Sequence, residues 1–351
     1  SVGNYAYTYI AQKYEKEADE GLILALTASP GGRAKKITEI KESLFIRQVE
    51  SRVEQDKEIK KYVQEKEIEK IEIELPEDYK SAKKLVEKIF SKKVEHLFGI
   101  GALPTKKVSK KMLLDFQKYY AQKASQFRKK EMFFAVSRIA ELIKLDYCLE
   151  LLETQGANPA KEYLKKLEKE DTKASKNLFS DGDFITFTKE VRELGEHSKL
   201  EKLKEIAAKE LDKKIIIFTQ YRATVKEIEK KLKEVKGAKI GILVGQTKGL
   251  SQKQQVRIIR DFEDGFYNIL LCTSIGEEGL DIKGVGTAVF YEPVPSEIRS
   301  IQRRGRVARF TKGKIYILIA KGTRDEAYYW TAYHKEKKMK TFLVKENLSN
   351  F

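Results

Sequence analysis

The chain has 351 residues, enough for two or three domains with cores of their own, since a single core rarely grows beyond roughly 250 to 300 residues. Its 35% charged and 41% hydrophobic residues describe globular structure, and no apolar run approaches the roughly 20 residues of a membrane helix. Lys and Arg outnumber Asp and Glu by 70 to 53, a formal charge of +17 that favours a polyanionic partner, although a surface rich in both Lys and Glu also suits a heat-adapted protein. Ser1-Val2-Gly3-Asn4-Tyr5 lacks the basic head and apolar core of a signal peptide, so the reading is an intracellular, cytoplasmic protein. Cys148 and Cys272 sit among apolar neighbours as reduced thiols, and His96, His197 and His334 lie far apart, so no structural metal site is expected.

In chain order, residues 1 to 20 read as a helix with Tyr5, Tyr9, Ile10 and Tyr14 near one face. Leu22 to Leu26 is a short apolar run suited to a central parallel strand, and Thr27 and Ser29 open the loop after it. Ala34 to Phe45 is helical in pattern, and Ile68 to Leu75 alternates as a strand ended by Pro76. Residues 76–197 change character. Tyr79 to Phe98, Ser109 to Phe127 and Lys129 to Thr154 place apolar residues at three- and four-residue steps, predicting an all-helical domain of three or four helices. Its lysines and tyrosines, among them Lys83, Lys92, Lys93, Lys110, Lys118, Tyr119 and Lys123, suit sequence-independent nucleic-acid binding; solvated helix faces would read the same way.

From about Ser198 the chain alternates strand and helix: strands over 215–218, 239–244, 267–272, 287–291 and 314–319, helices over 223–236, 251–264, 296–308 and 324–338. That pattern predicts a doubly wound parallel sheet. Three stretches carry chemistry. The strand Asn268 to Cys272 runs into Thr273-Ser274-Ile275-Gly276-Glu277-Glu278-Gly279-Leu280-Asp281, where hydroxyl and backbone N–H groups suit a phosphate and Asp281 can accept from a ribose hydroxyl; a capped turn is the plainer use of the same residues. Gly245-Gln246-Thr247-Lys248-Gly249 follows a strand and suits a phosphate or an ordinary turn. Gln302, Arg303, Arg306 and Arg309 in a helix put three side chains on one stripe, so two guanidiniums can converge on one polyanion, or face water on a basic helix.

Taken in order, Leu26-Thr27-Ala28-Ser29-Pro30-Gly31, Thr219-Gln220-Tyr221-Arg222, Gly245-Gln246, Thr273 to Ile282 and Gln302 to Arg309 resemble motifs III, IV, IVa, V and VI of superfamily 2 helicases. Phe290-Tyr291-Glu292-Pro293-Val294-Pro295-Ser296 and Ala320 to Trp330 are similar to the family of archaeal Hef and the Fanconi anaemia group M translocase, DNA helicases of forked DNA. The resemblance implies part of a first RecA-like domain over 1–75, a thumb-like helical insertion over 76–197, a complete second RecA-like domain over 198–340 and a tail over 341–351. It implies ATP and Mg2+ as cofactors, Arg306 and Arg309 on the γ phosphate with Gln302 in support, and Gly279 and Asp281 on the nucleotide's sugar side. Thr219, Arg222, Gly245, Gln246, Thr273 and Ser274 would hold strand phosphates of forked or branched DNA, and Thr27 and Ser29 would couple nucleotide state to that grip. Val307 and Ala308 stand where relatives often carry Thr and Gly.

No Gly-x-x-x-x-Gly-Lys-Ser/Thr loop appears, and the Asp19-Glu20 pair belongs to a charged helix end. The family places its phosphate loop and Mg2+ ligands upstream of motif III, so the expectation is a truncated helicase that does not hydrolyse ATP alone and whose parent can carry a nuclease domain. A nucleic-acid-binding module without catalysis, and an RNA helicase or RNA-sensing ATPase, are the other classes open to this sequence.

Overall fold

A computed structural model describes residues 6–19, 21–27, 34–51, 58, 66–245, 251–276, 282–307 and 313–348. Helices α1 (Ala6–Glu17) and α2 (Ala34–Ser43) stand where the pattern puts them. The strand expected at Leu22 to Leu26 is not formed: Leu22, Leu24 and Leu26 are 85%, 80% and 85% exposed and no described strand pairs with them. A parallel strand needs a neighbour for its N–H and C=O groups, and apolar residues alone do not supply one.

Strand β1 (Lys66–Ile73) forms as its alternation predicts, but its partner lies at the other end of the chain. It runs parallel to β6 (Gly313–Ala320), in register from Lys66 opposite Gly313 to Ile73 opposite Ala320. The strand grouped by sequence with residues 1–75 is thus the edge of the C-terminal sheet. Lys314 pairs with Glu67 and Glu69 at 3.6 and 3.2 Å, and Lys321 with Glu72 and Glu74 at 3.7 and 3.2 Å. Such charges blunt an edge against further pairing.

The bundle comprises α3 (Glu77–Gly99), α4 (Lys110–Phe127), α5 (Lys130–Thr154), α6 (Ala157–Glu168), α7 (Lys173–Phe179) and α8 (Gly182–Glu193). Three long helices match the periodicity; the short ones, 7 to 12 residues each, exceed the three or four helices expected because so few turns leave little period to read. Side chains of Ser109, Thr172 and Asp181 accept from backbone N–H groups at the starts of α4, α7 and α8. Val86, Ile89, Leu145, Leu151, Phe184 and Phe187 share one core cluster, and Val94, Leu97, Leu113, Ile139 and Leu142 another.

The α/β domain runs α9 (Ser198–Lys209), β2 (Lys214–Phe218), α10 (Arg222–Leu232), β3 (Ile240–Leu243), α11 (Gln252–Glu263), β4 (Ile269–Cys272), β5 (Val285–Phe290), α12 (Glu297–Arg304), β6 and α13 (Arg324–Leu348). Its parallel strands lie in the order β1-β6-β5-β2-β4-β3. Ile215 and Ile217 face α9 and α10 with Leu203, Val225 and Ile228, while Ile216 and Phe218 face α11 with Ile259 and Phe262. Both faces are covered, so the strands read as near-continuous apolar runs. The chain builds β3 and β4 to one side of β2, then crosses to β5 and β6 on the other. The carboxyl ends of β2 and β5 therefore border the topological switch point, where open sheets bind ligands.

Three helix ends in the α/β domain differ from the pattern by four residues or more, the first being α10, which stops at Leu232 rather than 236. Helix α12 ends at Arg304 rather than 308: Gly305 N donates to Ile301 O at 2.8 Å, and Arg306 N and Val307 N then donate to acceptors only three residues back, Arg303 O and Arg304 O, in longer bonds of 3.3 Å each. Helix α13 continues to Leu348, so the supposed tail from 341 begins inside it. No described helix is long and apolar enough to cross a membrane.

Ile217→Ala, at the closed centre of the sheet, is expected to destabilise the chain by about 2–5 kcal/mol in urea unfolding, and Leu24→Ala to change it by no more than about 0.5 kcal/mol. A comparable loss from both would mean that Leu22 to Leu26 is packed after all.

Candidate functional site

Backbone hydrogen bonds bring the carboxyl ends of the central strands level. Thr219 N donates to Cys272 O at 3.0 Å, Thr273 N to Leu243 O at 3.1 Å and Tyr291 N to Phe218 O at 3.0 Å. Thr219, Thr273, Gly245 and Glu292 consequently share one edge of the sheet. Arg222, the first residue of α10, donates from Nη2 to Gly245 O, joining two of the predicted residues directly. Thr273 is buried and accepts from Gly276 N at 3.0 Å, closing a 3-10 turn over Ser274–Gly276 that leaves Ser274 exposed. A β-carbon on Gly276 would lie 2.7 Å from Cys272 Cβ, so only glycine lets this loop fold back on β4.

Thr219 does not present its side chain to a ligand. It is fully buried, its hydroxyl lies 3.0 Å from Glu292 Oε2, and its N–H is engaged with Cys272. Gln246, Gly279, Asp281, Arg309 and Ser29 lie outside the described residues; Thr27 is exposed.

The arginine segment divides its labour. Arg303, absent from the predicted site, is fully buried: Nη1 donates to Glu292 O at 3.0 Å, Nη2 stands 3.7 Å from Glu292 Oε1, and the guanidinium lies 5.5 and 5.6 Å from the Phe218 and Phe290 rings. Arg304 bonds Glu336 of α13, and Arg299 Nη1 donates to Gln220 Oε1 at 3.4 Å. Gln302 and Arg306 are half-buried, one turn apart on the segment that Arg303 anchors. A visible signal for this anchor was Glu292 itself, a lone carboxylate in the apolar run Ala288-Val289-Phe290-Tyr291-Glu292-Pro293-Val294 that needs a cation once buried.

Electrostatics follow from that enclosure. Burial pushes the Glu292 carboxyl up to about 7, against the opposing pull of Arg303 and Lys199. Behind it, buried Lys199 pairs with Asp325 of α13 and donates to Thr154 O at 3.2 Å, while Asp325 accepts from Ala320 N at 3.0 Å. Burial raises Asp325 to about 6 and drives His197 down to about 3, so the imidazole is neutral. The helical bundle meets this edge through acidic residues of α5 at helical spacing. Asp146 takes Arg324 at 2.7 Å, Glu150 accepts from Tyr221 Oη at 3.1 Å and from Lys110 at 2.7 Å, and Glu153 takes Lys83 at 2.8 Å and Arg324 at 3.2 Å.

These pairings revise the basic surface read from the sequence. Lys83 and Lys110 serve the joint, Lys93 holds Glu141 and Asp181 at 3.1 and 3.0 Å, and Lys92 holds Asp183 at 2.7 Å. On α4, Lys111, Lys118 and Tyr119 are exposed, and Lys123 lies 5.7 and 5.1 Å from the Tyr119 and Phe127 rings, keeping cations among aromatics there.

Comparison with known proteins covers both bodies. The helicase conserved C-terminal domain matches residues 198–311, and the helical bundle of putative ATP-dependent RNA helicases matches residues 78–194. A putative ATP-dependent RNA helicase of Methanocaldococcus jannaschii is 38% identical over 361 residues, covering 98% of this chain and 44% of that protein. The Fanconi anemia group M protein homolog of Mus musculus is 27% identical over 390 residues, covering 96% and 19%. Among solved structures, the Pyrococcus furiosus Hef helicase domain superposes with a TM-score of 0.72 at 39% identity, over 94% of this chain and 71% of that one. The chain spans less than half the length of these curated relatives.

Glu292 carries a pH signature. With a folded value near 7 against an ordinary 4.5, the folded state keeps a proton that the unfolded chain releases between those values, so stability present below about pH 4.5 is lost as pH rises to about 7. In urea unfolding at pH 5 and pH 8, Glu292→Gln is expected to gain on the wild type at the higher pH; a constant gap would mean Glu292 is ionised throughout. Arg303→Ala strands the buried carboxylate and is expected to cost about 3–5 kcal/mol, against about 1 kcal/mol for Arg306→Ala.

Proposed function

The chain belongs to the Hef and Fanconi anaemia group M-like family of superfamily 2 helicases, and from that premise we propose that it carries the second motor domain and the helical insertion of an ATP-driven translocase acting on forked or branched DNA in replication-fork repair. The observation that carries the reading is the joining of Thr219, Glu292 and Arg303 at the switch point, which puts Gln302 and Arg306 on a braced segment.

The residues present suit the anionic end of a nucleotide. A half-buried guanidinium and a half-buried amide, flanking an arginine committed to the core, are permanently charged and polar donors matched to phosphate oxygens. Among the described residues no group of three or more His, Cys, Asp or Glu could hold a metal ion. Arg306 and Arg309 neutralise charge that develops on the transferring phosphoryl group, Gln302 supports them, and Gly279 and Asp281 meet the sugar. ATP supplies the phosphoryl bond whose cleavage drives the cycle.

On the strand side, Arg222 and Ser274 are exposed and Gly245 and Thr273 are set level with them, an arrangement suited to successive backbone phosphates together with Gln246. Phosphate contacts of this kind position a strand without reading its sequence. Thr27 and Ser29 pass nucleotide state to that grip. Closing and opening of two motor domains around such contacts moves the protein along the strand. The M. jannaschii relative and the helical-bundle family both carry RNA helicase in their names, which supports RNA as the second reading.

In the complete protein, Arg306→Ala is expected to lower ATP turnover by about three orders of magnitude or more while leaving forked-DNA affinity, read by fluorescence anisotropy, within about twofold. Parallel loss of turnover and affinity would refute the assignment. The chain by itself is expected to bind the fork with an affinity that falls steeply with salt and exceeds that for duplex RNA; tighter RNA binding would favour the second reading.

A further inference from the structure

Gln155 lies at the joint between the helical bundle and the sheet, its side chain fully buried. It caps α5, and Gly156, at φ 108°, turns the chain at once into α6. A side chain at that backbone angle is strained, and a β-carbon there would also lie 3.1 Å from His197 Cβ. The turn therefore requires glycine, and it leaves Gln155 reaching the α/β domain.

The amide is held at both ends. Nε2 donates to Thr154 Oγ1 at 2.9 Å, and Oε1 accepts from Thr224 Oγ1 of α10 at 2.8 Å. Oε1 also stands 3.5 Å from Thr219 Oγ1, which is 3.0 Å from Glu292 Oε2. A hydroxyl has one proton to donate. Thr219 thus faces two acceptors, one on the bundle and one bound through its own carbonyl to Arg303. Gln155, Thr219, Glu292 and Arg303 are each closed to solvent, so water cannot substitute for either choice.

We infer that Gln155 is a positioning residue through which the helical bundle sets the arginine-bearing segment: a shift of the bundle against the sheet changes which acceptor takes the Thr219 hydroxyl, and with it how Glu292 holds Arg303 three residues before Arg306. The hydroxyl with its two acceptors is a two-state element that both the bundle and the arginine segment bias, which is what coupling requires. The inference rests on the functional reading above and adds to it a route by which nucleic acid on the bundle regulates hydrolysis. It also gives Thr219 a use that its burial allows.

The test uses the complete protein, with ATP hydrolysis measured with and without forked DNA, DNA affinity by anisotropy, and urea midpoints for each variant. Gln155→Met keeps the volume and removes both acceptor contacts. Thr224→Val releases the amide without touching Thr219, and Thr224→Ser restores its hydroxyl. Gln155→Met and Thr224→Val are expected to hydrolyse ATP without DNA within about twofold of wild type, to bind DNA within about threefold, and to lose about tenfold of the stimulation by DNA; Thr224→Ser retains it. Full stimulation in both variants overturns the inference. So does a parallel fall of unstimulated and stimulated hydrolysis that tracks the urea midpoint, because that is what a purely structural role produces. If Gln155→Met does not fold, the Thr224→Val and Thr224→Ser pair decides by the same criteria. Absence of DNA-stimulated hydrolysis in the wild type would overturn the functional reading, and this inference with it; stimulation in the wild type that the variants keep would overturn the inference alone.

Discussion

At the point where the strand order reverses, a carboxylate and a guanidinium are both shut away from water, and the arrangement of the surrounding side chains depends on how they satisfy each other. Glu292 and Arg303 would each be expensive to bury singly. Their geometry is not that of a tight bidentate pair: the nearest charged atoms are 3.7 Å apart, and the firmer bond runs from Arg303 to the Glu292 backbone carbonyl. Thr219 and the edges and faces of Phe218 and Phe290 complete the enclosure. Once Arg303 is committed inward, the rotation of α12 is determined, and Gln302 and Arg306 on either side of it stay within reach of solvent. An apolar residue at 303 could pack as well but would not choose one rotation so firmly.

The same logic governs the joint between the two bodies. An apolar interface would tolerate sliding; this one is polar, with three carboxylates of α5 facing Arg324, Lys83, Lys110 and Tyr221, and the buried Lys199 and Asp325 pair behind them. Buried ion pairs add little net stability compared with well-packed apolar groups, but each partner admits few geometries. The helical bundle is therefore held at a defined angle to the sheet, as an element that either stays in register or shifts between discrete arrangements.

This arrangement separates two kinds of arginine that look alike in a motif. Arg299, Arg303 and Arg304 brace α12 against Gln220, Glu292 and Glu336, and the cationic run is largely internal scaffolding. Arg306, just past the helix end, belongs to a tighter turn whose direction the braced residues decide. The basic surface of the bundle divides likewise, with several lysines spent on internal carboxylates and the α4 cations left among exposed aromatics.

Local periodicity and composition were enough to place five strands and the starts of four helices of the C-terminal domain, the long helices of the bundle and the doubly wound class, because each of those elements carries its own apolar face in consecutive residues; the helix Ser198–Lys209 and the last ten residues of α13 were not read from the pattern. The family resemblance groups Thr219, Arg222, Gly245, Gln246, Thr273 and Ser274 as one phosphate-holding set, and the fold brings Thr219, Arg222, Gly245 and Thr273 to the carboxyl ends of the strands. What sequence could not decide was pairing at a distance. Lys66–Ile73 alternates as any edge strand does, and only its backbone pairing with β6, with Ile73 packed in one core cluster with Leu318 and its carboxylates beside Lys314 and Lys321, assigns it a place. Leu22 to Leu26 reads as a buried strand, yet burial needs a neighbour, and the described residues provide none. Thr219 reads as a ligand-facing group, and Arg303 as one more cation of a basic run, until the fold brings Glu292 and Gln155 to Thr219 from 73 and 64 residues away and Glu292 to Arg303 from 11. A hydrogen bond or ion pair between distant residues leaves no period in the chain, so its existence, and with it the division between residues that hold the site and residues that can act in it, was settled only by tertiary structure.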